Sequence, residues 1–509
     1  MKNWKKMGLI AISLMLCYCS RVQKAPVVEQ EKAVSISGPE EQLKQKIMDI
    51  LDSNETQNAF WGVLIKKQGS SEPFFALNEN KSLMTASNMK LYSTAPSFVL
   101  LGKDFRYETP IYHTGTIDAS GTLHGNVIIV GSGDPSISGR YREGFQTEQF
   151  LDEWAQAFQN KGVRVIEGDI IGDDDYFEDE EVEGSWQLDN LSYWYSAPSS
   201  ALSINDNLYQ FYMHPGNAPG ETAQIESQLG TSYIQIQNDV ITTSSKVRTY
   251  ISYRRETEGN KLRVWGAIPL GASKERIRGC VYNATLFSAF LVKEALEKNG
   301  VIVKGGAVDI DDLRNEEKER LRENLSLVHT HVSPPLSEIL RIVNKPSQNY
   351  YADMLLKTIG RRFRGRGSFG GGEEVVKDFL KLAGAPEVEN FTMADGSGLS
   401  RRNLVQPRHT IALLEFMARQ PDFKEFYDSL PIAGVDGTLR SRMAKPPLKG
   451  NVHAKTGHIG NVCALSGYWD DLNGQRWIFS FMCNHFTCWA SRADALIDRA
   501  LEVLGNYGE

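Results

Sequence analysis

Residues 85–90 read TASNMK and are followed by an apolar run from Leu91 to Leu101. Ser87 and Lys90 in this stretch form an SxxK pair, and Thr85 stands where the N-cap of a helix is expected. Residues three apart on a helix face the same way, so the Lys90 amine can reach the Ser87 hydroxyl. A desolvated lysine with a lowered pKa can take the proton of a serine, which makes Ser87 a candidate nucleophile and Lys90 its candidate base.

Two further motifs raise the significance of this pair, because about one or two SxxK matches are expected by chance in a chain of this length. Residues 347–349 read SQN and stand just before a helical pattern, while residues 455–457 read KTG and stand just before an apolar strand. The order SxxK, SxN, KTG is that of penicillin-interacting serine enzymes. The sequence therefore predicts one nucleophilic site assembled from distant parts of the chain.

These motifs, together with the stretch DGSGLSR at residues 395–401, resemble the class C low-molecular-mass penicillin-binding proteins. This family contains D-alanyl-D-alanine carboxypeptidases and endopeptidases, and the resemblance covers nearly the whole chain after the leader. It implies a mixed α/β fold: a transpeptidase-like catalytic domain with a mixed, largely antiparallel sheet and flanking helices, plus an inserted β-rich region. It also implies a penicillin-sensitive serine hydrolase that acts on peptidoglycan stem peptides through an acyl-enzyme.

The resemblance assigns a role to each motif residue. Ser87 is expected to attack the carbonyl between two D-alanines, with Lys90 as the general base. Ser347 is expected to pass a proton to the leaving amine, and Asn349 to bind the substrate amide and hold Lys90. Lys455 is expected to supply positive charge near the substrate carboxylate.

The residues that follow Lys455 are expected to bind substrate. Thr456 and Gly457 complete the motif, and the backbone N–H groups of Ser87 and His458 would form the oxyanion hole. The family usually has Thr or Ser at position 458, where this chain has His458. We expect its imidazole, partly protonated near neutral pH, to take over or modify the contact with the substrate carboxylate.

A second recognition site is implied by an aromatic segment. In the family, an acid in a tryptophan-rich segment reads the amino group of the diaminopimelate side chain, and Asp189 follows Trp186 at the matching spacing. We expect Asp189 to bind this amine, with Trp194 as a packing wall. The alternative is an exposed loop acid beside core aromatics.

The chain divides into a leader, a linker and a split domain. Residues 1–20 have a basic start and a short apolar run and predict a signal peptide, and residues 21–38 predict a flexible linker. The catalytic domain is expected at 39–104 and 333–509. The β-rich insertion is expected at 105–332, and the resemblance implies two nested subdomains within it. We therefore expect export to the periplasm or cell envelope, with a lipid anchor left open.

Composition excludes several other classes of protein. The chain has 509 residues, 41% of them hydrophobic, and a net charge of −7. This excludes a largely disordered chain, a polytopic membrane protein and a general nucleic-acid binder. Acyl transfer needs no metal or organic cofactor, so none is expected. The expected partners are peptidoglycan peptides and β-lactams; the oligomeric state stays open, as does the pairing of Cys280, Cys463, Cys483 and Cys488.

Two rival functions use the same residues. A β-lactamase or esterase would share the nucleophile but deacylate rapidly, and a compact β-lactamase lacks so long an insertion. A non-catalytic wall-binding module would share the fold, but the three intact motifs disfavour it. Labelling with a fluorescent penicillin separates these three functions.

Overall fold

The structure, a computed structural model, describes residues 38–246 and 248–506. The predicted signal peptide lies outside these residues, as does the predicted linker apart from Gly38. Within the described ranges no helix combines the length and the apolar character needed to cross a bilayer.

Helices make up much of the first and last parts of the chain. Their bounds are α1 (Pro39–Leu51), α2 (Lys90–Leu101), α3 (Thr147–Asn160), α4 (Ala284–Lys298), α5 (Asn315–Arg322), α6 (Leu336–Asn344), α7 (Asn349–Arg364), α8 (Phe369–Leu382), α9 (Pro407–Met417), α10 (Phe423–Ser429) and α11 (Ala490–Gly505).

Strands dominate the middle of the chain and recur near its end. Their bounds are β1 (Phe60–Lys67), β2 (Phe75–Leu77), β3 (Glu108–His113), β4 (Thr116–Ile117), β5 (Thr122–His124), β6 (Val127–Val130), β7 (Val165–Ile166), β8 (Ile170–Asp173), β9 (Leu208–His214), β10 (Gln224–Ser227), β11 (Gln235–Thr243), β12 (Tyr250–Arg255), β13 (Lys261–Pro269), β14 (Glu275–Cys280), β15 (Ile302–Val303), β16 (Ala307–Asp309), β17 (Ser326–Val332), β18 (Val452–Ile459), β19 (Val462–Asp470) and β20 (Arg476–Asn484).

One sheet joins the two ends of the chain. Its strand order is β18-β19-β20-β1-β2, and every neighbouring pair is antiparallel. Successive side chains of a strand point to opposite faces, so Val63 and Ile65 pack on one side of the sheet and Leu64 on the other. Helices α1 and α11 cover the first face, and a layer that includes α2, α6, α7 and α9 covers the second. Apolar side chains on both faces explain why these strands are buried almost throughout.

The strands from β3 to β17 form four further sheets, of three to five strands each. Their orders are β16-β8-β6-β3-β17, β15-β7-β5-β4, β11-β13-β12 and β10-β9-β14. The parallel pairs lie here, whereas the expected mixed sheet of the catalytic part is antiparallel throughout. The fold class is confirmed as mixed α/β with a β-rich middle.

The β-rich middle leaves and rejoins the rest of the chain at one place. The backbone N–H of Tyr107 donates to the hydroxyl of Ser333 at 2.9 Å, and the N–H of Ser333 donates to the carbonyl of Tyr107 at 3.0 Å. Ala197, Ala201 and Cys280 of the middle pack into the same apolar core as α2 and α7. This contact brings the middle against the face of the sheet that carries the motif residues.

Candidate active site

The candidate nucleophile lies on a strained turn. Ser87 belongs to a 3₁₀ turn, Ala86–Met89, and α2 begins only at Lys90. Ala86 has φ 46°, a left-handed conformation that costs a residue other than glycine about 1–3 kcal/mol. The expected N-cap is wrong: the hydroxyl of Thr85 donates to the carbonyl of Ala86 at 3.2 Å, because the turn separates Thr85 from the first turn of the helix.

The amine of Lys90 is buried among oxygen atoms. Its Nζ lies 2.9 Å from the Oγ of Ser87, 2.7 Å from the Oδ1 of Asn349 and 2.6 Å from the carbonyl oxygen of Ser397. Burial lowers the pKa of Lys90 to about 7, although the negative charges of Asp353 and Asp395 oppose this effect. A lysine with this pKa is partly neutral near pH 7 and can accept a proton.

The second lysine pairs with the second serine. Lys455 is buried on β18, and its Nζ donates to the Oγ of Ser347 at 2.8 Å and to the carbonyl of Thr456 at 2.9 Å. Burial holds the pKa of Lys455 well below its usual range, and the charge of Lys90 lowers it further. Ser347 has φ 63°, so both serines stand at or beside a left-handed backbone.

Asn349 connects the lysine to the β-rich middle. Its Oδ1 accepts from Lys90, while its Nδ2 donates to the carbonyl of Tyr195 at 2.8 Å. Because one amide oxygen and one amide nitrogen are both engaged, the side chain has a fixed orientation. We call Ser87, Lys90, Ser347, Asn349 and Lys455 the candidate catalytic cluster.

In the cluster, the two serines and the asparagine are partly accessible to solvent, whereas the two lysine side chains are not. Ser87, Ser347 and Asn349 are half-buried, whereas both lysines are fully buried. Hydroxyls, amines and an amide in this arrangement support acyl transfer through a serine. The structure therefore brings together the five residues that the three motifs supply.

Two glycines let the backbone close tightly around Ser87. A Cβ on Gly457 would lie 2.4 Å from the carbonyl oxygen of Thr85 and 3.1 Å from the backbone nitrogen of Ser87. A Cβ on Gly398 would lie 1.9 Å from the carbonyl oxygen of Ala86. Both distances are shorter than real Cβ contacts, so these positions require glycine.

Strand β18, which carries Lys455, directs some of its backbone N–H groups away from the rest of its sheet. β18 is the edge strand of its sheet, and the N–H of Ala454 donates outward to the carbonyl of Pro431 at 3.0 Å. Backbone direction repeats every second residue, so the N–H groups of Thr456 and His458 face the same edge. The close approach of Gly457 brings this edge against the turn that carries Ser87.

Sequence reasoning missed the loop that closes the site. The carboxylate of Asp395 accepts hydrogen bonds from four groups, and the loop folds around it: the indole of Trp186, the backbone N–H groups of Gly398 and Ser400, and the amide of Asn403. This fold turns the Ser397 carbonyl toward Lys90. The stretch DGSGLSR marked the loop, but a backbone carbonyl leaves no residue-type signal.

Asp353 was also missed. It lies one turn after Asn349 on α7, is fully buried, and accepts from the backbone N–H of Gly396 at 2.8 Å. Burial and the nearby charge of Asp395 raise the pKa of Asp353 well above its usual range. An acid on the buried face of an apolar helix is the signal that could have found it.

The side chains after Lys455 point to other partners. The hydroxyl of Thr456 lies 2.7 Å from that of Thr438. The imidazole of His458 is 2.9 Å from a carboxylate oxygen of Asp494 on α11. An acid of the protein therefore lies against this imidazole, and the expected contact of His458 with a substrate carboxylate stays a prediction.

The structure gives Asp189 and Trp194 no hydrogen bond to the five residues of the cluster. Asp189 is exposed in a 3₁₀ turn, and its charge acts on Tyr195, the residue whose carbonyl holds Asn349. The ring of Trp194 is half-buried between the guanidinium groups of Arg140 and Arg278, at 5.3 and 4.9 Å. Their predicted role in binding an amine stays a prediction.

Comparisons with known proteins cover almost the whole chain. The model of the D-Ala-D-Ala carboxypeptidase 3 (S13) family matches residues 43–502. A D-alanyl-D-alanine carboxypeptidase of Actinomadura sp. (strain R39) is 30% identical over 482 residues, which are 91% of this chain and 85% of the relative.

Solved structures are also similar. The crystal structure of penicillin binding protein 4 (dacB) from Haemophilus influenzae is 25% identical, with a TM-score of 0.79, over 91% of this chain and 99% of that chain. A second structure of that protein, complexed with a novel β-lactam, has a TM-score of 0.73 at 24% identity, over 91% of this chain and 100% of that chain. The second likeness supports the fold.

Proposed function

We propose a mechanism for a chain that belongs to the D-Ala-D-Ala carboxypeptidase 3 (S13) family. The protein is a serine-type D-Ala-D-Ala carboxypeptidase, a penicillin-binding hydrolase of peptidoglycan peptides that works through an acyl-enzyme. The roles of individual residues below are our proposal, and so is the balance between carboxypeptidase and endopeptidase work.

The observation that carries the mechanism is the surroundings of the Lys90 amine. A neutral amine has two N–H groups and one lone pair. The side-chain carbonyl of Asn349 and the backbone carbonyl of Ser397 can only accept hydrogen bonds, so they take the two N–H groups. The lone pair then faces the hydroxyl of Ser87 at 2.9 Å, as a general base requires.

Acylation begins with attack by Ser87. Its Oγ bonds to the carbonyl carbon between the two D-alanines, and its proton passes to the Nζ of Lys90. The carbonyl oxygen becomes an oxyanion, which the N–H groups of Ser87 and His458 stabilise from the turn and the strand edge.

Breakdown of the tetrahedral intermediate requires a proton on the leaving amine. Ser347 donates its hydroxyl proton to this nitrogen as the C–N bond breaks, and the lysine pair Lys90 and Lys455 restores that proton. D-Alanine departs, and Ser87 is left as an ester. Water then attacks this ester and gives one proton to the base, which passes it to the Oγ of Ser87 as the ester C–O bond breaks and the shortened peptide is released.

Substrate binding uses the remaining groups. The Asn349 amide and the β18 edge bind the peptide backbone, with Thr456 and Gly457 lining the edge. A substrate carboxylate beside Lys455 favours the charged form of that lysine, which burial alone disfavours. Asp189 and Trp194 are our candidates for the amine of the diaminopimelate side chain.

The domain boundaries that we propose rest on which strands share a sheet. A catalytic domain at 39–104 and 333–509 is supported by the joining of β1 and β2 with β18–β20 in one sheet. An insertion at 105–332 is supported by the bonds between Tyr107 and Ser333. We propose that the enzyme acts in the cell envelope or periplasm, where its substrate lies, after export by the signal at residues 1–20.

Labelling with a fluorescent penicillin tests the nucleophile. The wild type is expected to give a stable covalent label on Ser87, located by mass spectrometry of peptides, and Ser87→Ala is expected to give none. Ser93→Ala is the matched control, because Ser93 lies on α2 with its hydroxyl bonded to backbone carbonyls. A label that persists in Ser87→Ala contradicts the assignment, and rapid turnover of label by the wild type would indicate a β-lactamase.

Defined muropeptides test the reaction. Monomeric pentapeptides report release of D-alanine, and cross-linked dimers report endopeptidase cleavage. Both products should require Ser87, since one acyl-enzyme serves both reactions.

A further inference from the structure

A histidine, a cysteine and a carboxylate meet behind the catalytic strand, where the mechanism uses none of their side chains. The Sγ of Cys463 lies 3.1 Å from the Oδ1 of Asp494 and 3.7 Å from the Nε2 of His458. The same Nε2 lies 2.9 Å from the Oδ2 of Asp494. One ligand atom from each of the three residues thus lies within 4.8 Å of the other two.

The backbone fixes these three side chains. His458 and Cys463 are direct cross-strand partners on β18 and β19, joined by a short turn. Asp494 comes from α11, where Arg442 donates to its Oδ1 at 2.6 Å and to Asp498 at 2.7 Å. The imidazole of His458 reaches both carboxylate oxygens of Asp494, at 3.0 Å to Oδ1 and 2.9 Å to Oδ2.

We propose that His458, Cys463 and Asp494 form a binding site for a thiophilic divalent cation of the zinc class. Thiolate, imidazole and carboxylate are the ligands that zinc uses in proteins. Bond lengths of about 2.0–2.3 Å place tetrahedral ligand atoms roughly 3.3–3.6 Å apart. With the Oδ1 of Asp494 as its ligand atom, the three distances are 3.0, 3.1 and 3.7 Å, so small side-chain adjustments accommodate the ion.

Charge and access also suit a cation. Coordination requires the thiol of Cys463 to lose its proton to solvent. The thiolate, Asp494 and Asp498 then carry three negative charges against the one positive charge of Arg442, and a divalent ion neutralises the remainder. The side chain of His458 is 39% exposed, which provides an entrance and room for a water at the fourth position.

Metal titration of the reduced, full-length protein tests the site. Calorimetry with Zn²⁺ is expected to show one ion bound per chain, and Co²⁺ is expected to give a thiolate-to-metal charge-transfer absorption. His458→Thr and Cys463→Ser should each weaken Zn²⁺ binding by at least about 100-fold, the upper end of what loss of an outer-shell partner costs. Cys488→Ser is the matched control and should bind like the wild type.

The site is refuted if the wild type binds no Zn²⁺ stoichiometrically, or if both ligand variants keep wild-type affinity. If Cys463→Ser does not fold, His458→Thr decides alone, because its side chain is part-exposed and the strand remains. The Co²⁺ charge-transfer band could instead be lost in Cys488→Ser and kept in His458→Thr. That outcome would show that the metal binds at another cysteine, and it would also refute the proposal.

Discussion

At the scale of single residues, the two fully buried lysines determine which groups of the site can exchange protons. Removing a lysine amine from water disfavours its charged form, and a second positive charge nearby adds repulsion. Burial lowers the pKa of both Lys90 and Lys455, and the charge of Lys90 lowers that of Lys455 further, so the two amines lose a proton more readily than surface lysines do. Ser87 and Ser347 therefore face amines that can exchange protons near neutral pH.

The pH profile of acylation follows from Lys90. Its lone pair is available only when the amine is neutral, and burial lowers its pKa to about 7. The second-order rate of acylation by penicillin should rise with pH to a plateau above 7, and should fall about tenfold for each pH unit below it. Circular dichroism at each pH checks that the protein stays folded. A flat profile between pH 5 and pH 8 would exclude Lys90 as the base.

Gly457→Ala tests the close approach of strand and turn. The added Cβ would lie 2.4 Å from the carbonyl oxygen of Thr85, so strand β18 must move away from Ser87. We expect acylation to slow by at least about tenfold and stability to drop by about 1–3 kcal/mol, as for other overpacked sites. Acylation rates and urea unfolding measure the two effects.

Gly370→Ala is the control for this substitution. Gly370 lies in the first turn of α8 with open space around the position of a Cβ. Its variant should acylate at the wild-type rate. Equal rates for both alanine variants would mean that the contact at Gly457 does not position the strand.

At the scale of elements, the β-rich middle holds the loop of the SxN motif. Gln348 stands between the two motif residues and donates to the buried carboxylate of Asp206 at 3.2 Å. Asp206 also accepts from Arg140 at 3.0 Å, and its side chain is 0% exposed. An ion pair between the half-buried Arg140 and the fully buried Asp206 thus anchors the loop that carries Ser347 and Asn349.

The variant Asp206→Ala tests whether the loop depends on this ion pair. Removing one partner of a buried ion pair costs about 3–5 kcal/mol, and acylation should slow because Gln348 loses its partner. Asp239→Ala removes an exposed pair, in which Arg263 and Asp239 keep 61% and 36% of their side-chain surface, and should cost less than about 1 kcal/mol. Urea unfolding compares the two variants, and equal costs would disprove the anchoring role.

The sequence could predict the elements that carry local patterns. Helix α7 after the SxN motif, the apolar strand β19 after KTG and the family itself are confirmed. The KTG residues themselves lie inside a further strand, β18, which was not predicted. The N-cap at Thr85 was wrong, since a 3₁₀ turn intervenes where the glycine-lined loop closes on Ala86. The partner of His458 could not be predicted, because Asp494 lies on a separate helix and no spacing rule connects the two. The predicted absence of a metal stays a prediction, and our proposed cation site runs against it.

For the whole molecule, the sheet mixes strands from both ends of the chain. β1 lies between β2 and β20, and Phe60 pairs with Asn484. The β-rich middle is threaded between them with its two ends bonded together, as in an inserted domain. The domain boundaries stay a prediction that this connectivity supports.

This strand order has a consequence for the order of events during synthesis. A ribosome delivers Ser87 and Lys90 early, but the strand bearing Lys455 and the neighbours of β1 emerge only near the end. The middle of the chain can fold meanwhile, whereas the central sheet must wait for its last partners. A nascent or truncated chain that stops short of β18 lacks Lys455 and the proposed backbone donor of His458, so we expect it to carry Ser87 without hydrolytic activity.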